Sequence, residues 1–269
     1  MVRNDSFFIP KWIDYYSSQM GQENLFLILD GLDQALPAGY EHINAIRLPV
    51  RQLSRARGDR LRAKLVSYLA KVLFYRYDIV IAHDIDEYLV VDPDLKQSLA
   101  AFLQKPFRYA SLSALGLDVG QHLDLEKPID ASKPFLEQRS FAHVSARYTK
   151  AIVAARPLIW GSGFHRVIGR NFHIDPGLYL FHFGMVDYEV SRERTGDKSL
   201  LEAGWKGHLG RRYELFDLIT NSKPIEDEAF LEKARKRQSI FRPFYALNKP
   251  GMLSEKPVIR IPERFRSIV

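Results

Sequence analysis

Tyr77-Asp78-Ile79-Val80-Ile81-Ala82-His83-Asp84-Ile85-Asp86-Glu87 is the stretch on which the fold turns. Its first half is apolar and rich in β-branched residues, as expected of a strand buried on both faces. Its second half is an acidic cluster beginning where that strand ends. Upstream, 51–74 has helical spacing, with Leu61, Leu65, Tyr68, Leu69 and Val72 on one side. Before it, Leu25-Phe26-Leu27-Ile28-Leu29 is a second apolar run, stopped by Asp30-Gly31. Asp5 or Ser6 can cap a first helix that runs to Met20, tolerates Pro10 in its first turn and stops at Gly21. Downstream, 93–105 reads as a helix and 109–117 as a strand. Strand and helix in alternation predict an α/β domain with a mostly parallel central sheet. In such sheets ligands gather beyond the carboxyl ends of the strands, where Asp30 and Asp84 fall.

The second half is less regular. Strands are expected at 148–155 and 178–183, helices at 187–203 and 225–238. No linker separates the halves. The expected organisation is a transferase-like domain over 1–203, split near 105 into nucleotide and acceptor halves, with a basic extension over 204–269. The chain has 269 residues, enough for a full core without covalent staples. It has no cysteine, which excludes disulfides, thiolate metal sites and cysteine nucleophiles and makes a cytoplasmic home the default. No apolar run approaches the roughly 18 residues of a spanning helix.

Three carboxylates and an imidazole within His83-Asp84-Ile85-Asp86-Glu87 repel one another unless something neutralises them. A divalent cation is a natural partner, because Mn²⁺ and Mg²⁺ prefer oxygen ligands. In an extended segment Asp84 and Asp86 share a face while Ile85 turns inward.

The order Arg3-Asn4-Asp5, Leu27-Ile28-Leu29-Asp30-Gly31-Leu32-Asp33 and Asp84-Ile85-Asp86-Glu87-Tyr88-Leu89 resembles family 2 glycosyltransferases, in the branch with a D-x-D-E motif. So do Gly116-Leu117-Asp118-Val119, Tyr148-Thr149-Lys150, Trp160-Gly161-Ser162-Gly163-Phe164-His165 and Tyr179-Leu180-Phe181-His182 further on. The resemblance covers roughly residues 1 to 190. It implies a Rossmann-like type A glycosyltransferase fold, a nucleotide-sugar donor (a UDP-sugar is the expected one) and Mn²⁺ or Mg²⁺. Carried over, Arg3, Asn4, Asp5, Asp30 and Asp33 line the nucleoside pocket. Asp84 faces ribose or metal, Asp86 is the firmest metal ligand, and His182 reaches the metal or the diphosphate. His165 or Asp175 activates the acceptor hydroxyl, since a histidine or carboxylate can take its proton. Only Met1 and Val2 precede Arg3, so the family's first strand is either very short or cut away.

Arg51, Arg55, Arg57, Arg60, Arg62 and Lys64 crowd the start of the helix before the acidic strand. Arg60 and Lys64, one turn apart, are the expected diphosphate contacts. A nucleic-acid partner is not expected, because no recognition-helix pair or aromatic RNA-binding strand pair is present. Zinc-protease, serine-hydrolase and Walker A signatures are absent too. The expected activity is transfer of a hexose-type sugar, with inversion, to a glycan or lipid-linked acceptor in surface-polysaccharide synthesis. The rivals are a non-catalytic binding module and a metal-dependent phosphohydrolase. The net charge of +7 localises to 232–269, which hold ten basic residues and three acidic ones. That segment suggests peripheral attachment to the anionic inner face of a membrane. Its rival is a tail folded back to pair the domain's own acids.

Overall fold

The computed structural model describes residues 1–106, 108–169, 172–195, 206–242 and 247–269. Helix α1 (Phe8–Met20) buries Phe8, Ile9, Trp12, Ile13 and Tyr16, spaced to fall on one helical face. The Asp5 carboxylate accepts from the Phe8 amide at 3.0 Å and starts the helix. Gly21, at φ 80°, ends it in a conformation that favours glycine. Strand β1 (Phe26–Asp30) pairs in parallel with β2 (Asn44–Leu48) to form a small sheet of two strands. Val2 bridges to Leu29 on the other edge of β1.

Helix α2 (Arg55–Leu73) leads to β3 (Val80–Ile81), a turn, and β4 (Glu87–Val91). Short helix α3 (Leu99–Leu103) precedes the central strand β5 (Ser111–Gly120). Next come α4 (Phe135–Gln138), β6 (Phe141–Val144), β7 (Val153–Ala154) and the long β8 (Ile174–Met185). Helices α5 (Tyr188–Thr195), α6 (Lys206–Asn221) and α7 (Ala229–Ile240) lead to β9 (Val258–Arg260). The helix expected over 187–203 is described only to Thr195, and the boundary drawn at residue 203 falls outside the described residues.

The expected mostly parallel central sheet is not what forms. The main sheet has seven strands and is mainly antiparallel. β4 runs antiparallel to β8, β6 to β5 and to β9, and β7 to β3 and to β5. Among the described residues only β5 and β8 pair in parallel within it. Parallel neighbours need a crossover of a dozen residues or more, usually helical. A turn joins β3 to β4 and a loop joins β6 to β7, and the helices α5 to α7 between β8 and β9 return β9 antiparallel to β6 at the edge of the sheet.

Two local expectations also shift. The apolar run over 77–82 contributes only the two residues of β3 to the sheet, and the longer strand β4 follows the acidic turn. The apolar side of α2 read from the sequence turns largely outward: Tyr68 is 60% and Val72 63% exposed, while Leu61 and Leu69 are half-buried. The buried face is the small-residue one, Ala63, Ser67 and Ala70, which allows close approach; the Ser67 hydroxyl accepts from the Trp160 amide at 3.0 Å.

The open edge of β4 is covered by α1. The Tyr15 hydroxyl donates to the Leu89 carbonyl at 2.7 Å, and the Leu89 amide donates to the Tyr16 hydroxyl at 2.8 Å. Side-chain hydroxyls thus occupy backbone positions that another strand would otherwise seek. Residues 232–269 are built into the same body. β9 adds to the edge of the main sheet beside β6, and Phe265 is buried against Tyr179 and Phe181. Arg264 pairs with Asp92 and Glu228, and Arg260 with Glu226.

Candidate functional site

The acidic cluster is a turn between β3 and β4. The Glu87 amide donates to the Asp84 carbonyl at 3.2 Å, closing four residues into one bend. Asp84 and Asp86 therefore do not share a face as they would in an extended segment. Ile85 is buried as expected, and the two aspartates enter different neighbourhoods.

Asp84 lies between two cations. Arg62 on α2 reaches its Oδ1 at 2.9 Å, and Lys150 reaches its Oδ2 at 3.1 Å. Burial works to raise its pKa, but Arg62 and Lys150 outweigh burial and hold the carboxyl well below the usual range. Lys150 also lies 2.5 Å from Glu87, whose side chain is completely buried. Burial pushes Glu87 up, against the pull of Lys150. Lys150 itself is held above its ordinary value, because Glu87 and Asp84 more than offset its own burial.

Asp86 belongs to a second group. Strand pairing sets His182 on β8 opposite Glu87, and Asp118 on β5 opposite His182. His182 Nδ1 is 2.6 Å from Asp118 Oδ1, and His182 Nε2 is 3.0 Å from an Arg212 Nη. A guanidinium can only donate, so Nε2 carries the lone pair and Nδ1 carries the proton given to Asp118. Arg212 on α6 also stands 3.6 Å from Asp86. The Tyr148 ring stacks on His182 with centroids 3.8 Å apart. Gly116 makes this possible, since a Cβ there would meet the Tyr148 carbonyl carbon at 2.2 Å and the Thr149 nitrogen at 2.4 Å.

His165 lies on the rim, half-buried, with its Nδ1 2.8 Å from the Arg147 carbonyl oxygen. That oxygen can only accept, so Nδ1 donates and Nε2 keeps its lone pair. Burial, aided by the nearby Lys150 charge, lowers its pKa to about 4.

The remaining sequence-derived residues divide by location. Arg3 forms a two-pronged pair with Asp33, both contacts 3.1 Å, and donates to the Asp30 carbonyl at 2.7 Å. Asn4 exchanges hydrogen bonds with Gln34, and Asp5 caps α1. These contacts tie the start of the chain to the end of β1, where Asp30 is half-buried. Arg60 and Lys64 are exposed on the outer side of α2, while Arg62 takes the inward position. Asp175 sits at the opposite end of β8 from His182, its carboxylate holding the Gly177 amide at 2.8 Å. Seven residues of strand separate the two, on the order of 20 Å.

The metal expectation is corrected by the same contacts. Among the described residues, no group of three or more histidines and acids is arranged to hold an ion. The expected ligands already have cationic partners. Asp84 is held by Arg62 and Lys150, and the lone pair of His182 Nε2 is taken by Arg212. The like charge that seemed to require Mn²⁺ or Mg²⁺ is neutralised by protein side chains.

Sequence reasoning gave Lys150 and Arg212 no role, noted Arg62 only among the basic residues at the start of α2, and named His182 without its pairing to Asp118. Two carried a local signal. Lys150 immediately precedes the apolar run Ala151-Ile152-Val153 and is 2% exposed. Arg62 lies one, two and three turns before Val66, Leu69 and Leu73, on the inner side of α2. Arg212 carries no such signal.

Compared with known proteins, the chain matches no family model and no curated sequence.

Proposed function

We propose that the chain is a glycosyltransferase that moves a sugar from a nucleotide-sugar donor to a hydroxyl of a glycan or lipid-linked acceptor. The observation that carries this reading is the cluster at the turn between β3 and β4. It draws cations from three distant segments to one acidic turn, Arg62 and Lys150 to Asp84 and Arg212 to Asp86. Guanidinium and ammonium groups pair strongly with phosphate oxygens, and those held in place before reaction stabilise charge as it develops. On this reading they meet the charge gathering on a departing nucleoside diphosphate. Among the described residues the buried Nε of Arg212 has no hydrogen-bond partner and is a further donor.

His165 is the group that takes the acceptor proton. It is uncharged at neutral pH, its Nε2 lone pair is unused by Arg147, and it stands on the rim beside Lys150. The oxygen attacks the anomeric carbon as the bond to the diphosphate breaks on the other side, which inverts that centre. Asp118 and His182 act through Arg212: the carboxylate holds the imidazole tautomer, and the imidazole holds the guanidinium.

Calorimetry with UDP, GDP and TDP, followed by diphosphate release from the matching sugar nucleotides with glycan and lipid-linked acceptors, tests the reading. One nucleotide is expected to bind, Arg212→Met to weaken it, and His165→Asn to lower turnover by roughly 10²–10⁴-fold. Binding without turnover for any acceptor selects the non-catalytic module. Phosphate release from simple esters selects a hydrolase, and no binding at all removes the proposal.

A further inference from the structure

We infer that the outward face of α2 is a docking surface for an anionic lipid bilayer. The inference stands apart from the transfer chemistry and rests on what this helix leaves exposed. Leu65, Tyr68 and Val72 follow one another at helical spacing down its outer side, and Tyr75 stands in the turn just past its end; they are 37%, 60%, 63% and 86% exposed. An exposed apolar stripe on a folded domain marks an interaction site. Tyrosine suits a lipid–water boundary, having an apolar ring and a polar end.

Charge identifies the occupant. On α2 the exposed charged side chains are Arg57, Arg60, Lys64 and Lys71, all cationic, with Arg51 and Arg76 just outside its two ends. The one acid in that span, Asp59, is turned aside and pairs with Arg55 at 3.3 Å. On a helical projection Arg57, Arg60, Lys64 and Lys71 run along one side of the apolar stripe, so a basic row borders an apolar one as in a helix lying at an anionic interface. The inner side of α2 is pinned by Arg62 to Asp84 and by Ser67 to Trp160, so this face has no route into the core. The basic C-terminal segment offers less: Arg264, Arg260, Lys256 and Lys233 each face a carboxylate of this chain.

Co-sedimentation of the full chain with phosphatidylglycerol-containing and pure phosphatidylcholine vesicles tests the inference. The chain is expected to pellet with the anionic vesicles and, at low ionic strength, to leave the neutral ones in solution. Lys71→Glu with Arg76→Glu is expected to reduce binding at least about tenfold. Val72→Ser with Tyr75→Ser is expected to remove the part that survives high salt. All four positions are exposed, so circular dichroism and Tm should match the parent. Three results overturn the inference: pelleting that neither double variant changes, no pelleting on anionic vesicles, or a dimer in sedimentation equilibrium that Val72→Ser with Tyr75→Ser dissociates. The last would make the occupant a second copy of the chain.

Discussion

Lys150 Nζ lies 2.5 Å from Glu87 Oε1, and neither side chain is more than 2% exposed. An ion pair so deeply placed is a poor source of net stability, but breaking it from one side is costly. Its second partner, Asp84, ties it to α2 through Arg62. One ammonium therefore holds the acidic turn closed.

Lys150→Met leaves Glu87 buried with no counter-charge. A loss of about 3–5 kcal/mol in urea unfolding is expected. Adding Glu87→Gln to the same chain should restore most of it, because the stranded charge is gone. A double variant no more stable than Lys150→Met would show that Lys150 acts by packing alone.

Acid sensitivity follows from Asp84. Its carboxyl titrates below the ordinary range when folded, so the folded state binds the proton more weakly than the unfolded one. The stability it contributes is fully present above pH of about 4, the unfolded value, and is lost as pH falls further. Asp84→Asn should flatten the decline of stability below pH of about 4, measured by unfolding across the acid range. An unchanged slope would mean that Arg62 and Lys150 do not act on this group.

Two histidines impose a dependence in a higher window. Burial lowers both His83 and His165 to about 4 from an ordinary 6.5. The unfolded chain binds protons there that the folded chain refuses, so stability is full above pH 6.5 and falls progressively toward pH 4. Each contributes on the order of 2 kcal/mol. His83→Gln and His165→Asn should each reduce the slope of stability against pH in that window, and NMR titration should find both rings neutral at pH of about 6.

Two glycines predict opposite signs. At Gly116 a Cβ would sit 2.2 Å from the Tyr148 carbonyl carbon, and backbone cannot give way cheaply. Gly116→Ala should cost about 1–3 kcal/mol and shift the Tyr148 ring from His182. Gly58, inside α2, has nothing within 4 Å of the same position. Gly58→Ala should stabilise by about 0.5–1 kcal/mol, read as a higher Tm.

Much of the local structure was legible in the residues themselves. The apolar run before Asp30 forms β1, and the spacing after Asp5 forms α1 with that aspartate as its cap. The acidic turn at Asp84, Asp86 and Glu87 was visible as a concentration of like charge. These features depend on neighbours within a few residues, and local periodicity reports them. Strand direction did not follow, because it depends on how loops route the chain after β5, where hydrophobic pattern is silent.

Most of the groups that answer the acidic charge lie far along the chain. Lys150 is 66 residues from Asp84, and His182 is 64 from Asp118. Sequence alone established that three carboxylates would sit together and would need neutralising. Whether a metal ion or side chains would do it rested on which distant cations the sheet and α2 carried to the same place, and only the tertiary structure could decide that. Helix α2 makes the same point. Its alternation of apolar and basic residues was evident from the start, but which side turned inward was settled by the close approach that Ala63, Ser67 and Ala70 permit.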